Sequence, residues 1–271
     1  MRGRLKQGLD RLGLLGPARR VRQALQIAAF RGRNARFRHQ VGPDGAPIPP
    51  VRLIMLVTGT PDVEWFLTGG RLAADSIRSI SSRNGVDIDR ARAILDFGCG
   101  CGRVARGWAG VGGEVHGCDY NRRLVEWCQR HLRFGRFEVN ELRPPLPYPD
   151  GRFDLVYALS VFTHLPEELQ RPWIEDLHRI LEPGGHLILS VHGRRYRDEL
   201  RPDERRRFDE GRLVVRLERS AGTNLCGAYH PVEYVRETLA RGFTVLDYIA
   251  EGALGNPYQD LVLLRKALSP R

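Results

Sequence analysis

The sequence predicts an α/β fold built on a mostly parallel sheet. Three observations carry that expectation. First, residues 94–106 read Ile-Leu-Asp-Phe-Gly-Cys-Gly-Cys-Gly-Arg-Val-Ala-Arg. An apolar run ends in Asp96, glycines follow at 98, 100 and 102, and a helix is expected to start at Val104. Such a strand–turn–helix junction lets backbone lie directly against a ligand. Second, Glu114-Val-His-Gly-Cys-Asp119 reads as a strand that ends in an acid about twenty residues further on. Third, Phe153-Asp-Leu-Val-Tyr-Ala-Leu-Ser160 is nearly all apolar, as a parallel strand buried on both faces requires.

The chain has 271 residues, enough for one large α/β domain with additions. Its net charge of +11 is concentrated at the start. Residues 1–40 hold eleven basic side chains and a single acid, Asp10, so the remainder is nearly neutral. Within this arm Leu5, Leu9 and Leu12 keep helical spacing. Val21, Ala24, Leu25 and Ala28 do so after Gly16-Pro17, which predicts two short basic amphipathic helices with a break between them. Such an arm suits an anionic membrane surface, a polyanion or a partner protein, and a solvated extension is the plainer alternative. Val41-Gly-Pro-Asp-Gly-Ala-Pro-Ile-Pro-Pro50 reads as an extended linker over 41–50.

Residues 51–90 read as a cap. Val57-Thr-Gly-Thr-Pro61 precedes a helix with Trp65 and Phe66, and Gly69-Gly-Arg-Leu opens another that runs to about Ser82. The core spans 91–192. A third strand, Arg136–Asn140, ends in polar groups, with Asn140 and Glu141 available to a ligand. The proline turn Pro144–Gly151 can join neither a helix nor a central strand. Leu169, Trp173, Leu177, Ile180 and Leu181 form one helical face. Pro172 predicts a break or kink in that helix, Pro183 stops it, and Gly184-Gly185 reverse the chain into a fifth strand, His186–His192. Residues 193–230 insert as a lid, with a charged helix near Pro202–Phe208, an added strand at Leu213–Leu217 and a polar loop at Gly222–Gly227. Residues 231–271 close the domain with helix Val232–Arg241 and strands Phe243–Ile249 and Leu261–Leu264.

The glycine spacing excludes two common phosphate sites. A dinucleotide fingerprint needs a sixth-position glycine, and Arg103 stands there. A P-loop needs Gly-Lys-Ser/Thr, which is absent. Asp-x-Gly-x-Gly-x-Gly instead resembles motif I of the class I S-adenosylmethionine methyltransferases. Leu146–Asp154 resembles the run into their motif IV, and Arg179-Ile-Leu-Glu-Pro-Gly-Gly185 their turn into strand five.

The resemblance implies a Rossmann-like, seven-stranded sheet with helices on both faces and a last strand that inserts antiparallel. It implies S-adenosylmethionine as cofactor, held by Asp96, Phe97, Gly98, Cys99, Gly100, Gly102, Asp119, Tyr120, Asn140, Glu141 and Ser160. Asp119 would accept from the ribose hydroxyls and Tyr120 would pack on the adenine; capping of the helix near Asn121 is the alternative role for Asp119.

A hydroxyl acceptor also needs a base. His164 follows strand four, His192 ends strand five, and His230 is expected at the mouth; packing or capping roles remain open for each. The chain lacks the Asp/Asn/Ser-Pro-Pro-Tyr/Phe motif of amino-methylating DNA enzymes and the Pro-Cys nucleophile of cytosine C5 enzymes, so specific nucleic-acid methylation is not expected. The resemblance points to O-methylation of a sugar, glycan or small metabolite. An RNA methyltransferase using the basic arm and a S-adenosylmethionine-binding scaffold without turnover are the alternatives.

The odd number of cysteines, five, shows no zinc-type spacing, so no metal is expected and a reduced, cytoplasmic protein is. No segment has the length of a membrane span or the pattern of a signal peptide. The arm leaves a peripheral position at the inner membrane surface open.

Overall fold

The structure, a computed structural model, describes residues 15–268 apart from 39 and 43, with side chains from residue 21 onward. Its main sheet runs through β1 (Ala93–Phe97), β2 (Glu114–Asp119), β3 (Gly135–Val139), β4 (Phe153–Ala158) and β5 (Leu181–Val191). β6 (Val214–Arg216) and β7 (Gly227–Tyr229) pair separately, and β8 (Phe243–Ile249) and β9 (Asp260–Lys266) complete the main sheet. Its order is β3-β2-β1-β4-β5-β9-β8. The first five pair in parallel, while β9 lies antiparallel between β5 and β8. This is the seven-stranded, mostly parallel arrangement expected, with the last strand inserted. β1 is buried along its whole length and β4 everywhere except Asp154, which explains why both read as unbroken apolar runs. The ends of β1 and β4 therefore meet side by side at the carboxyl edge of the sheet, where open α/β sheets bind ligands.

Helices cover both faces. In chain order they are α1 (Leu15–Asn34), α2 (Val51–Thr58), α3 (Val63–Arg83), α4 (Arg122–His131), α5 (Glu167–Ile180), α6 (Pro202–Asp209) and the short α7 (Val232–Tyr234), which continues as a π-helical turn over Val235–Leu239. α5 packs Leu169, Trp173, Leu177 and Ile180 on one face of the sheet. α3 places Ala73, Ile77 and Ile80 with Trp108 on the other. α2 and α4 enclose the glycine turn with Ile54, Leu124 and Val125.

Several local expectations are corrected. α1 takes in Gly16-Pro17 rather than starting after them, because Pro17 stands in its first turn, where a missing N–H costs no hydrogen bond. The Leu5, Leu9, Leu12 segment lies outside the described residues. Pro172 does not interrupt α5, which is continuous through it; the helix forgoes one bond there and keeps its buried face. Gly69-Gly70 do not start a helix but sit inside α3. A Cβ at Gly70 would collide with the Arg103 carbonyl, so the glycine pair lets α3 lie directly on the turn. Beyond that turn the helix expected from Val104 is only a 3-10 segment, Ala105–Trp108, in a stretch with glycines at 107, 110, 112 and 113.

The 41–50 linker is also not a free connector. Val41 bridges Pro47, and Gly42 N donates to Ala46 O at 2.7 Å. Asp44 and Arg106 form an ion pair at 2.6 Å, with side chains 2% and 7% exposed. Arg106 also donates to the carbonyl of Pro47. Composition predicted an extended segment, but a buried arginine beside the glycine turn needs a counter-charge, and this segment supplies it. Asp44→Ala is expected to lower stability by about 3–5 kcal/mol, since it strands that arginine unpaired. Chemical denaturation would measure the loss.

Candidate active site

The site grows from the turn after β1. Gly98, Gly100 and Gly102 have φ of +80°, +56° and +76°, a region side chains rarely tolerate. Space is equally restrictive. A Cβ at Gly98 would run into Val161 of the β4 edge, and one at Gly100 would lie 2.7 Å from Val57 of α2. The turn is fastened to β2 by Gly98 N and Cys99 N, which donate to Cys118 O at 2.8 and 2.9 Å. Asp119 then ties three segments together. Its carboxylate accepts from Gly100 N at 2.9 Å and from Asn121 N at 2.8 Å, while Asn121 caps α4. The helix-capping role is thus Asn121's, and Asp119 itself faces a cavity.

That cavity has a volume of about 450 Å³, within the usual range for small-molecule sites. Asp96, Phe97, Gly98, Cys99, Gly100, Asp119, Tyr120, Asn140, Glu141 and Ser160 all line it. Gly102 does not; its backbone turns against Leu132 and Cys128 of the α4 side, so its positive φ shapes the turn rather than a contact surface. Asp96 Oδ2 and Asn140 Oδ1 are buried and have no hydrogen-bond partner among the described residues. Burial raises the Asp96 carboxyl to about 7, with neighbouring Asp119 adding to the effect. Burial likewise raises Asp119. Ser160 adopts φ +59°; its N–H donates to Ser190 Oγ at 2.7 Å and its hydroxyl accepts from Gln259 Nε2 at 2.9 Å.

The cap and the lid loop also line the cavity, as do Arg103 and Gln259, which had no legible signal in the sequence. Arg103, next to the last glycine, is the one cationic side chain among the described lining residues whose charge is permanent. It donates to Gly255 O at 3.1 Å and Asn256 Oδ1 at 2.6 Å. This anchors the β8–β9 loop, which brings Pro257 and Gln259 to the cavity. Leu56–Gly59 and Trp65 contribute from the α2–α3 region. The lid closes the opposite side. Tyr120 Oη donates to Gly222 O at 2.8 Å, Gly222 N to His164 O at 2.8 Å, and Asn224 Nδ2 to Leu56 O at 3.1 Å.

The three histidines separate. His164 lines the cavity, and its Nδ1 lies 2.7 Å from Cys226 O. Burial lowers its pKa below the usual histidine value. His192 is not among the lining residues; it lies between Tyr196 and Tyr229, with burial pushing it down to about 4. His230, expected at the mouth, is instead wholly buried, 3.2 Å from Gln170 Oε1. The lid strand β7 runs back beside the end of β5 and carries His230 inward with it.

Comparison with known proteins agrees with this geometry. Residues 94–185 match the model of a methyltransferase domain. A ubiquinone biosynthesis O-methyltransferase of Alkalilimnicola ehrlichii is 32% identical over 110 residues, which are 38% of this chain and 42% of that protein. A malonyl-[acyl-carrier protein] O-methyltransferase of Pseudescherichia vulneris is 29% identical over 38% of this chain and 39% of its own. This chain therefore spans about 40% of the length of these curated relatives. In structure, a SAM-dependent methyltransferase of Methanosarcina mazei superposes with a TM-score of 0.50 at 20% identity, over 65% of this chain and 93% of that one.

Residues 94–185 are thus a methyltransferase domain, and the fold is that of the S-adenosylmethionine-dependent methyltransferases. The methyltransferase cofactor also fits the residues present. S-adenosylmethionine carries an ammonium and an adenine amine, both donors, and the cavity offers buried acceptors without partners on Asp96 and Asn140. It carries a carboxylate, for which Arg103 is the available cation. It carries ribose hydroxyls, which the Asp119 carboxylate can accept. In this domain the glycine turn admits no side chain. Gly100→Ala is expected to destabilise the fold by about 1–3 kcal/mol through its forced φ and the Val57 collision. Thermal unfolding with and without S-adenosylmethionine would read both that loss and the loss of ligand-induced stabilisation.

Proposed function

We propose that the protein transfers a methyl group from S-adenosylmethionine to a hydroxyl oxygen of a small acceptor, a sugar, glycan or small metabolite. The supporting observation is His164. A carbonyl only accepts, so the contact with Cys226 O places the ring proton on Nδ1 and leaves the lone pair on Nε2. The cavity thus contains a neutral imidazole in the tautomer of a base. Both curated relatives above are named as O-methyltransferases, which supports oxygen as the accepting atom. The polar loop Gly222-Thr-Asn224 lines the same cavity and suits a hydroxylated acceptor. The five cysteines are all free and buried, which supports a reducing, cytoplasmic setting.

In this reading each residue has a task. Asp119, Asn140, Asp96 and Arg103 hold the cofactor, and the glycine turn lets it approach the backbone. When bound, S-adenosylmethionine supplies a methyl group on a sulfonium, already activated for in-line displacement. Alignment by the chain is therefore the main contribution, about 7–11 kcal/mol when donor and acceptor are held in near-attack geometry. His164 Nε2 takes the acceptor's hydroxyl proton, and the lid bonded through Gly222 and Asn224 keeps water out.

Calorimetric titration of S-adenosylmethionine, S-adenosylhomocysteine and NAD tests the cofactor. The first two are expected to bind and NAD not. Asp119→Ala should weaken S-adenosylmethionine by roughly ten- to a hundredfold, the scale of lost hydrogen bonds to a charged group. Binding of NAD alone would refute the reading. A methyl-transfer screen over hydroxylated acceptors follows, and consumption with none would favour a binding scaffold without turnover.

His164→Gln should lower kcat by about 10²–10⁴-fold with cofactor affinity unchanged. Burial lowers the His164 pKa, so the imidazole is neutral and competent at pH 7. At saturating S-adenosylmethionine, where titration of Asp96 near 7 does not limit cofactor binding, kcat should fall only below the ordinary histidine value of about 6.5.

A further inference from the structure

The two sides of α1 differ. Its inner side carries Gln23, Ile27, Phe30 and Asn34, all partly buried. Asn34 clasps the turn before α3: its amide donates to Pro61 O at 2.7 Å and accepts from Val63 N at 3.3 Å. Arg33 pairs with Asp62 at 3.2 Å, and Arg36, just beyond the helix, pairs with Glu64. α1 is thus fixed to the body through its C-terminal end.

Its outer side has no such contacts among the described residues. Val21 and Leu25 are 63% and 66% exposed. Ala24, Ala28 and Gly32 lie on the same side at helical spacing and are also exposed. Arg22 and Arg31 border this strip, one on each side, exposed and outside any ion pair among the described residues. No acidic residue occurs between 11 and 43.

We infer that α1 docks flat on an anionic lipid bilayer through the Val21–Leu25–Ala28 face. The distribution of side chains selects the occupant. A central apolar strip with arginines at its borders buries the strip at the acyl boundary while the guanidinium groups reach anionic headgroups. A nucleic acid would use the arginines and leave the strip without purpose. The positive charge of the arm matches a negative surface, and the helix, at 20 residues, extends for about 30 Å. The same arm is bonded to the turn that follows Thr58 and Gly59, two residues of the cavity wall. Docking therefore holds the cavity in a fixed relation to the membrane.

Sedimentation of the full chain with vesicles tests this. Binding is expected to phosphatidylcholine vesicles with about 30% phosphatidylglycerol and not to pure phosphatidylcholine, with weakening as salt is raised. The double variant Val21→Asp, Leu25→Asp should lose about tenfold or more of that binding. Its S-adenosylmethionine affinity should remain unchanged, because both positions are exposed and away from the cavity. Wild-type protein that stays in solution with anionic vesicles would overturn the inference. So would sedimentation that the double variant leaves intact. Polyuridylate binding equal in both proteins, with no vesicle binding, would assign the arginines to a polyanion instead.

Discussion

The site depends on one buried carboxylate. Asp119 accepts from Gly100 N and Asn121 N, and so links the turn after β1, the end of β2 and the entry to α4. Hydrogen bonds to a buried carboxylate offset the cost of desolvating it; burial still raises its pKa. The three positive-φ glycines would otherwise be a mobile loop, since glycine loses the most conformational freedom on folding. Held by Asp119 and by the Cys118 carbonyl, they become a flat surface. The cavity wall is built outward from there.

The remaining walls attach to that surface by long-range contacts. α3 reaches it because Gly70 has no side chain to meet the Arg103 carbonyl. Arg103 in turn fixes the β8–β9 loop through Gly255 and Asn256. Tyr120, the neighbour of Asp119, holds the lid through Gly222. Cofactor pocket and acceptor-side loops are therefore one mechanical unit, and a histidine that serves the reaction has to lie where they converge. Of the three considered, His164 alone does so. The arm is joined to this unit from outside, through Asn34 and the turn before α3.

Much of the core was legible because its signals are local. Residues 114–119 and 243–249 form strands with the bounds the pattern indicated, since the residues of a strand must alternate or run apolar according to what covers it. The turn glycines announced themselves by spacing. Misreadings occurred where a local breaker met a tertiary use. Gly69-Gly70 looked like a helix boundary and were a close-packing site; Pro172 looked like a kink and left α5 continuous. The Pro/Gly segment 41–50 looked unattached until Arg106 was seen to require Asp44. In each case propensity was a weak prior that packing overrode.

By itself the sequence determined the order of the α/β elements, the glycine turn with its acid partner, and the concentration of charge in the first forty residues, because each is written in nearest-neighbour chemistry or period. Only the tertiary structure decided which histidine faces the cavity, that Arg103 and Gln259 belong to its wall, and which side of α1 packs on the body. These depend on residues 100 or more positions apart meeting at one sheet edge, as Arg103 meets Asn256 and Ser160 nearly so with Gln259, and no local pattern encodes such encounters.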